Sequence, residues 1–268
     1  TISLSTKTID GTGSGIFSSN MLGLNPNTNY YVRAYATNSL GTSYGNQISF
    51  NSLQNVINGI GPNVTDVDGN VYQSVINCNQ TFTSKNLNVT KYSDGTPIPQ
   101  VTDPSAWANL TTGAWCYYNN VTANGVVYGK LYNWYAVNDS RGLAPAGYHI
   151  PSDIEWGRLI TCLGGDAQAG DRLKEVGTTH WQGPNSATNS SGFTALPGGY
   201  HSNNSLDIGQ GGYWWSSSES ILLSTSTTGY PQLNFGNAWN RNIYYANLNV
   251  LRENFGKFNG YSVRCVKD

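Results

Sequence analysis

We predict an α+β protein from three observations on the 268 residues of the sequence. Short runs in which apolar and polar residues alternate fill most of the chain and predict strands. One segment, which follows Pro151, instead carries a capping pattern and then apolar residues at helical spacing. Dipeptides that favour tight turns separate the runs, namely Asp68-Gly69, Asp94-Gly95, Asn124-Gly125 and Asn259-Gly260.

The composition limits the kinds of partner that we expect. Charged residues make up 11% of the chain, and the formal net charge is −1. Nucleic-acid binding depends on clustered Lys and Arg, and the 14 residues of these types are scattered, so we expect no nucleic-acid partner. We expect no membrane insertion, because no run reaches the roughly 18 to 20 apolar residues that span a bilayer. Few charges together with many aromatic residues and glycines are typical of extracellular β-rich proteins.

The alternation within residues 1–52 predicts strands only. The string GLNPNTNYYVRAYATNSLGTSYGNQISF resembles the second half of a fibronectin type III domain, with a strand over Tyr30 to Thr37 and then an Asn-x-x-Gly hairpin. Such a sandwich needs about seven strands, so the remaining strands are missing, supplied by another chain, or never formed. The resemblance places the corner of this partial domain at Leu24, Pro26, Thr28 and Tyr30.

A second domain is predicted over residues 63–268, after a linker at 53–62 where the alternation is lost. Its clearest helix begins at Ser152, which can cap the helix while Glu155 completes a capping box. Gly164-Gly165 ends this helix, and a second short helix is predicted over 167–176. A last strand is predicted over 261–266. The apolar face of the first helix should comprise Ile154, Leu159, Ile160 and Leu163.

Four cysteines are present, and their spacing excludes some kinds of site. No C-x-x-C pair occurs, so zinc-knuckle and thioredoxin-like sites lack their spacing. Disulfides and buried free thiols both remain open, and four cysteines allow three connectivities. At least one bridge is expected if the compartment is oxidising. The cysteines are Cys78, Cys116, Cys162 and Cys265.

Nine strings of the second domain resemble, in order, the Fibrobacter succinogenes major paralogous domain. The resemblance runs from about Asn63 to Asp268, and that family is similar in turn to C-type lectin folds and to the formylglycine-generating enzyme group. It implies a C-type-lectin-like mixed domain with two helices and a small twisted sheet in which the first and last strands pair. The strings are TDVDGNVYQSV, TSKNLNVTKYSDGTPIPQVTD, GAWCYYNN, YGKLYNWYAVND, GLAPAGYHIPSDIEWGRL, LKEVGTTHW, SGFTALPGGY, GYWWSSSES and GYSVRCVKD.

The complete predicted fold is therefore a C-type-lectin-like α+β domain preceded by part of an all-β fibronectin-type sandwich. Two positions depart from the families that it resembles. Many relatives carry Cys where this chain has Ala144, so a disulfide through that position cannot form, and Cys265 needs another partner or stays free. The formylglycine generators use two closely spaced cysteines, and Cys265 has none near it, so we expect no catalysis of that kind.

Three histidines and one acidic motif are further candidates for chemistry. His149, His180 and His201 lack the spacing of a zinc site or a hydrolase triad, and their neighbours are typical of packing or hydrogen-bonding roles. The string from Asp66 to Asn70 opens like a calcium loop but lacks the later bidentate acid, so a hairpin turn is the better interpretation. We expect no cofactor. Calcium held by loop carbonyls stays an alternative that the sequence does not place.

Aromatic and amide side chains concentrate in residues 237–259, just before the last strand. Such a mixture offers contact area at low entropy cost together with adaptable hydrogen bonds, and a solvated Asn-rich loop explains the composition equally well. The position resembles the variable region of C-type-lectin-fold proteins diversified by retroelements, which implies display positions here, Leu251 included. The predicted ligand-binding residues are Trp239, Asn240, Asn242, Tyr244, Tyr245, Asn247, Asn249, Asn254, Phe255 and Phe258.

A second aromatic run, Tyr213 to Trp215, could also stack on sugar rings. In a strand, one Trp would face the core and its neighbour would face outward, so we assign at least one of them to packing.

These observations predict a non-catalytic adhesion or ligand-binding protein that acts outside the cell or on the cell surface of a bacterium or phage. Its partner is expected to be a surface glycan or protein. The alternative is a structural subunit that self-associates into extracellular fibres when a neighbouring chain completes the fibronectin-like half. An enzyme related to the formylglycine generators ranks last.

Overall fold

The computed structural model describes residues 7–9, 11–13, 15–17, 19, 21, 28–51, 58–225 and 231–268. The chain divides into two compact units, Thr1–Val56 and Ile57–Asp268. Among the described residues, no helix is long and apolar enough to cross a membrane.

The first unit contains two separate antiparallel strand pairs. β1 (Asn29–Val32) pairs with β4 (Ile48–Asn51), and β2 (Tyr35–Asn38) pairs with β3 (Gly41–Tyr44). Asn38 Oδ1 accepts the N–H groups of Leu40 and Gly41, so the predicted Asn-x-x-Gly hairpin is present. The strand predicted over Tyr30 to Thr37 is interrupted at 33–34, and Leu24 and Pro26 of the predicted corner lie outside the described residues.

Twelve further strands belong to the second unit. They are β5 (Gly59–Thr65), β6 (Val71–Asn77), β7 (Gln80–Thr83), β8 (Trp115–Cys116), β9 (Leu131–Tyr132), β10 (Tyr148–His149), β11 (Gly198–His201), β12 (Ser205–Ile208), β13 (Gly211–Thr225), β14 (Pro231–Tyr244), β15 (Val250–Gly256) and β16 (Val266–Lys267). Five helices accompany them: α1 (Pro104–Ala108), α2 (Thr122–Tyr128), α3 (Trp134–Val137), α4 (Asp153–Cys162) and α5 (Asp166–Leu173). A short 3₁₀ helix spans Tyr118–Asn120.

Two five-stranded sheets organise this unit. The first sheet has the order β10-β16-β7-β6-β5, and the second has the order β12-β11-β13-β14-β15. The predicted last strand over 261–266 is shorter, because only β16 pairs as a strand. It lies between β7 and β10, so the closing strand shares a sheet with the opening strands.

β5 begins inside the segment that the sequence analysis assigned to a linker. Residues 59–62 are part of this strand, and Gly59 and Ile60 pair with Ile76 and Val75 of β6. β5 is an edge strand whose Ile60 side chain is 89% exposed. Backbone pairing with β6 and a hydrogen bond from the Ser74 hydroxyl to the Pro62 carbonyl hold this part of the strand, so it carries no alternating pattern that the sequence could reveal.

α4 confirms the predicted helix start. Ser152 Oγ accepts the N–H of Glu155, and the Glu155 carboxylate accepts the N–H of Ser152, which completes the capping box. The predicted apolar face is wrong at Ile154, which is exposed because it lies opposite the buried Trp156 and Ile160 on the helix.

The predicted number of helices is wrong. α5 ends at Leu173, within the predicted range, but α1, α2 and α3 were not expected. These three helices are four to seven residues long, so they show no helical periodicity. Side-chain caps stabilise two of them: Asp103 accepts the N–H of Ala106, and Asn133 accepts the N–H of Ala136.

The first part of β13, residues 211–216, has both of its faces buried. Tyr213 and Trp215 belong to one core cluster, and Trp214 belongs to a second cluster with Trp156 of α4 and Ile243 of β14. The expectation that one residue of this aromatic run faces outward is therefore wrong. Core packs against this central strand from both sides, and all three rings are 3% exposed or less.

Arg264 links the two sheets from a fully buried position. Its guanidinium donates to the carbonyl oxygens of Thr83, Phe193 and Thr194 at 2.8 to 2.9 Å and to Asn86 Oδ1 at 2.7 Å. Asn86 Oδ1 also accepts the indole N–H of Trp214 in β13 at 2.9 Å. Burial lowers the pKa of Arg264 to about 9, so the guanidinium keeps its charge at neutral pH.

The cysteines resolve into one disulfide and two thiols. Cys78, in the turn after β6, is bonded to Cys162 at the end of α4. Cys116 and Cys265 are buried and free, and burial raises the pKa of both thiols. Cys265 therefore has no disulfide partner, which was one of the two outcomes left open.

We expect the second unit to fold alone and the first unit not to. None of residues 28–51 is fully buried, and two pairs of short strands bury too little apolar area to offset their ordering entropy. Thermal unfolding of fragments 1–56 and 57–268, followed by circular dichroism, should show a cooperative transition for the second fragment only. A cooperative melt of the isolated 1–56 fragment would contradict this.

Candidate functional site

The predicted ligand-binding segment is a β-hairpin. β14 pairs with β15 in a register that places Trp239 opposite Asn254, Asn240 opposite Glu253 and Asn242 opposite Leu251. Because successive side chains of a strand point to opposite faces, these residues fall into two groups. Within residues 238–243 of β14, even-numbered residues share a face with Tyr213 and Trp215 of β13, whereas odd-numbered residues face the side of α4.

Asn240 and Asn242 are wrong as display positions, because both are 0% exposed. They lie on the face of β14 that packs beside Trp215 and Tyr213, their register partners in β13. The Asn242 amide donates to the carboxylate of Glu253. Neither amide atom of Asn240 has a hydrogen-bond partner among the described residues. An unpaired buried amide costs about 1 to 3 kcal/mol, so packing alone does not account for Asn240.

The end of the hairpin presents the predicted amides to solvent. Asn247 and Asn249 are exposed, and Tyr244 and Tyr245 are half-buried. The buried side chain of Lys174 holds this turn, because its ammonium donates to the Asn247 carbonyl at 2.9 Å and to the carbonyls of Tyr244 and Tyr245 at 3.4 Å. The turn is therefore fixed to the residue that follows α5.

The face of the hairpin that carries Phe255 continues into a group of aromatic rings in contact, most of them edge to face. We call Tyr200, Tyr213, Tyr244, Phe255 and Tyr261 the aromatic patch. Tyr261 is its buried centre, with ring centroids 5.4 Å from Tyr213, 5.9 Å from Tyr200 and 6.5 Å from Phe255. The Tyr213 and Tyr244 rings are 5.8 Å apart. Phe255 is 39% exposed, so the patch reaches the surface through it and through the half-buried Tyr200 and Tyr244.

Hydrogen bonds fix the orientation of the patch. The Tyr213 hydroxyl donates to the carboxylate of Asp207 and is also hydrogen-bonded to the Tyr244 hydroxyl at 2.8 Å. Burial, followed by the bond to Asp207, raises the pKa of Tyr213, so its hydroxyl stays protonated. The sequence analysis missed Tyr200 and Tyr261 as site residues because they lie on strands and bridges outside 237–259 and only the topology brings them together.

The opposite face of the hairpin is closed by a charged cluster. Asp153, in the first turn of α4, accepts hydrogen bonds from Arg241 at 2.7 Å and from Arg252 at 2.8 Å. The Arg252 guanidinium lies 3.4 Å from the centroid of the half-buried Trp239 ring. Burial alone would raise the pKa of Asp153, but the bonds from Arg252 and Arg241 outweigh it and lower that pKa. Trp239 is thus covered by Arg252.

The remaining predicted residues lie along the hairpin and after it. Asn254 is half-buried and accepts a hydrogen bond from Asn237 at 3.0 Å. Phe258, in the turn that follows β15, is 36% exposed. Its carbonyl accepts the indole N–H of Trp107 at 2.7 Å, which attaches this turn to α1.

The acidic motif between β5 and β6 forms a hydrogen-bonded turn. Asp66 Oδ1 accepts the N–H groups of Asp68 and Asn70, and Asp66 Oδ2 accepts the Tyr72 hydroxyl at 2.6 Å. Asp68 Oδ2 accepts from Thr90. These carboxylates thus stabilise the turn and the segments beside it by hydrogen bonds. In the part of the chain that the structure describes, no group of three His, Cys, Asp or Glu side chains is placed to hold a metal ion.

The three histidines lie apart from one another and make packing or hydrogen-bond contacts. His201 is buried against Trp107, with ring centroids 5.0 Å apart, and burial lowers its pKa. His180 Nδ1 is 2.8 Å from Glu175. His149 bridges two carboxylates, with Nδ1 2.7 Å from Asp268 and Nε2 2.9 Å from Glu155.

The His149 bridge makes the stability of the second unit depend on pH. Burial alone would lower the pKa of His149, but the bonds to Asp268 and Glu155 outweigh it and raise that pKa above its usual value. The stabilisation is therefore complete below the unfolded pKa of about 6.5 and is lost as the pH rises through the folded pKa.

Urea unfolding across pH tests this expectation. Between about pH 6 and about pH 8.5, the free energy of unfolding of the wild type should fall more than that of His149→Gln. His180→Gln is the matched control, because it removes a half-buried imidazole that has one carboxylate neighbour instead of two. Equal pH dependence of wild type and His149→Gln would show that the bridge does not stabilise the protonated ring.

Comparisons with known proteins agree with the motifs in the sequence. No curated protein and no solved structure matches the chain. The family Fibrobacter succinogenes major domain matches residues 76–267, which include the first sheet except β5 and most of β6, the whole second sheet with the β14–β15 hairpin, and all five helices. This match covers well over half of the 268 residues, and the chain therefore belongs to the Fibrobacter succinogenes major domain family.

Proposed function

We propose that this chain is a non-catalytic, extracellular ligand-binding protein whose binding surface is the aromatic patch together with the exposed end of the β14–β15 hairpin. One observation carries the proposal: the exposed Phe255 and half-buried Tyr244 rings are held by a buried tyrosine network that fixes their orientation. Rigid aromatic side chains offer large contact areas with little entropy to lose, and a few such anchors usually carry most of the binding energy.

The chemistry of this surface favours a neutral, polar ligand. Aromatic rings lie beside the hydroxyls of Tyr213 and Tyr244, and the end of the same hairpin exposes the amides of Asn247 and Asn249. Such a surface suits the face of a sugar ring or an uncharged patch on a protein.

Two further observations support the proposed location and the proposed scaffold. The Cys78–Cys162 disulfide is the kind of bond that persists in oxidising compartments, which supports a location outside the cell. The closing strand lies among the opening strands, and the second sheet carries the hairpin. That arrangement supports a C-type-lectin-like scaffold for the second unit and a display role for the hairpin.

The fibre-subunit alternative rests on the first unit. Its strand pairs β1–β4 and β2–β3 are two separate two-stranded sheets, and none of residues 28–51 is fully buried. Strand edges without partners are templates for pairing with another chain. The alternative therefore expects assembly that grows with protein concentration, which sedimentation velocity of the full chain measures.

A glycan and surface-protein array tests the proposed binding surface. A Tyr244→Ala, Phe255→Ala, Phe258→Ala triple variant should lose binding, because each anchor contributes about 1 to 4 kcal/mol. Val126→Ala is the matched control, since it removes an exposed apolar side chain from α2, an element outside the hairpin. Wild-type binding by the triple variant would contradict the site, and turnover of an arrayed ligand would contradict the absence of catalysis.

A further inference from the structure

Lys130 is buried without a charged partner, in contact with one amide side chain. The residue precedes β9 and is 2% exposed. Its Nζ atom lies 2.9 Å from Asn88 Oδ1 and 2.6 Å from the Asn88 carbonyl oxygen. The rings of Trp115 and Tyr117 enclose the amine, with centroids at 4.7 and 5.2 Å. In the part of the chain that the structure describes, Lys130 makes no ion pair.

The backbone on both sides of this contact is fixed. The N–H of Lys130 donates to the Leu87 carbonyl at 3.1 Å. The N–H of Asn88 donates to the Tyr72 hydroxyl at 2.9 Å, and that hydroxyl donates to the buried Asp66 carboxylate at 2.6 Å. The lysine amine and the asparagine amide are thus held together by the fold. Reacting groups held at contact distance react as if at very high concentration.

The environment also makes the amine available as a nucleophile. Burial lowers the pKa of Lys130 to about 8, although the charges of Asp68 and Asp66 oppose the shift. An amine with that pKa is neutral in about one tenth of molecules at pH 7, whereas an ordinary lysine is neutral in less than about one in a thousand. Only the neutral amine has the lone pair that attacks a carbonyl carbon.

We propose that Lys130 and Asn88 react to form an intramolecular isopeptide bond. The neutral Nζ attacks Cγ of Asn88, and a new Nζ–Cγ bond forms. One proton of the attacking amine passes to Nδ2, the Cγ–Nδ2 bond breaks, and Nδ2 leaves as ammonia. A primary amine and a primary amide thereby become one secondary amide and ammonia. No oxidant, reductant or cofactor takes part.

The bond would join two segments of the second unit that are 42 residues apart in sequence. Asn88 follows β7 of the first sheet, and Lys130 leads into β9. A covalent link at this place removes chain freedom from the unfolded state, as a disulfide does, and it is insensitive to reductant. It would complement the Cys78–Cys162 disulfide, which ties α4 to the turn after β6.

Intact-mass spectrometry of the reduced full chain tests the proposal. The wild type, incubated at about pH 9 to raise the neutral amine fraction, should weigh about 17 Da less than its sequence mass, the mass of one ammonia. Lys130→Arg and Asn88→Ala should each keep their full sequence mass, because each lacks one of the two reacting groups. A thermal melt of the same samples establishes that each is folded.

Tryptic mapping distinguishes the cross-link from succinimide formation at an Asn-Gly step, which also releases ammonia. With the isopeptide bond, trypsin does not cut after Lys130, and residues 86–91 are recovered joined to residues 92–141. A folded wild type that retains its full mass after the incubation overturns the proposal. So does a mass loss that leaves cleavage after Lys130 intact.

Discussion

The guanidinium of Arg264 is fully buried, and its hydrogen-bond partners are neutral groups. An ion removed from water is tolerated only when its donors are matched by acceptors, and the planar fork of arginine makes that match directional. Here the acceptors are carbonyl oxygens of Thr83, Phe193 and Thr194 and the side chain of Asn86. These acceptors come from two separate parts of the second unit, residues 83–86 and residues 193–194, so the charge can be satisfied only when both parts are in place.

Residues 261–266, which lead into the last strand, connect Arg264 to both sheets through hydrogen bonds. Next to Arg264, the Cys265 carbonyl accepts the N–H of Thr83 in β7, and the N–H of Cys265 donates to the Thr83 hydroxyl. Two residues earlier, Ser262 accepts the N–H of Trp215 and donates to the Tyr213 carbonyl in β13. Because Tyr261 lies in the same segment and is the centre of the aromatic patch, the rings proposed to bind ligand rest on the element that Arg264 anchors.

Local chemistry explains which features could be predicted from the sequence. The α4 start was predictable because Ser152 and Glu155 are three residues apart and their capping bonds involve no distant residue. The burial of Asn240 and Asn242 could not be predicted, because alternating amides in a strand predict a face that points to solvent. Only the packing of β13 and β15 around β14 buries these two side chains. Likewise, the resemblance identified the family but did not identify Tyr200 and Tyr261 as site residues. Only tertiary contacts bring these two side chains into the aromatic patch.

Native-state hydrogen exchange of Arg264→Lys tests this dependence most directly. Lysine keeps the positive charge but cannot reproduce the fork, so several carbonyls and Asn86 lose their donors. The account predicts that the amides of β7 and of β13 lose protection together, by a common free energy of about 2 to 4 kcal/mol, while the chain remains folded. Loss of protection confined to residues 192–195, with β7 and β13 unchanged, would contradict it.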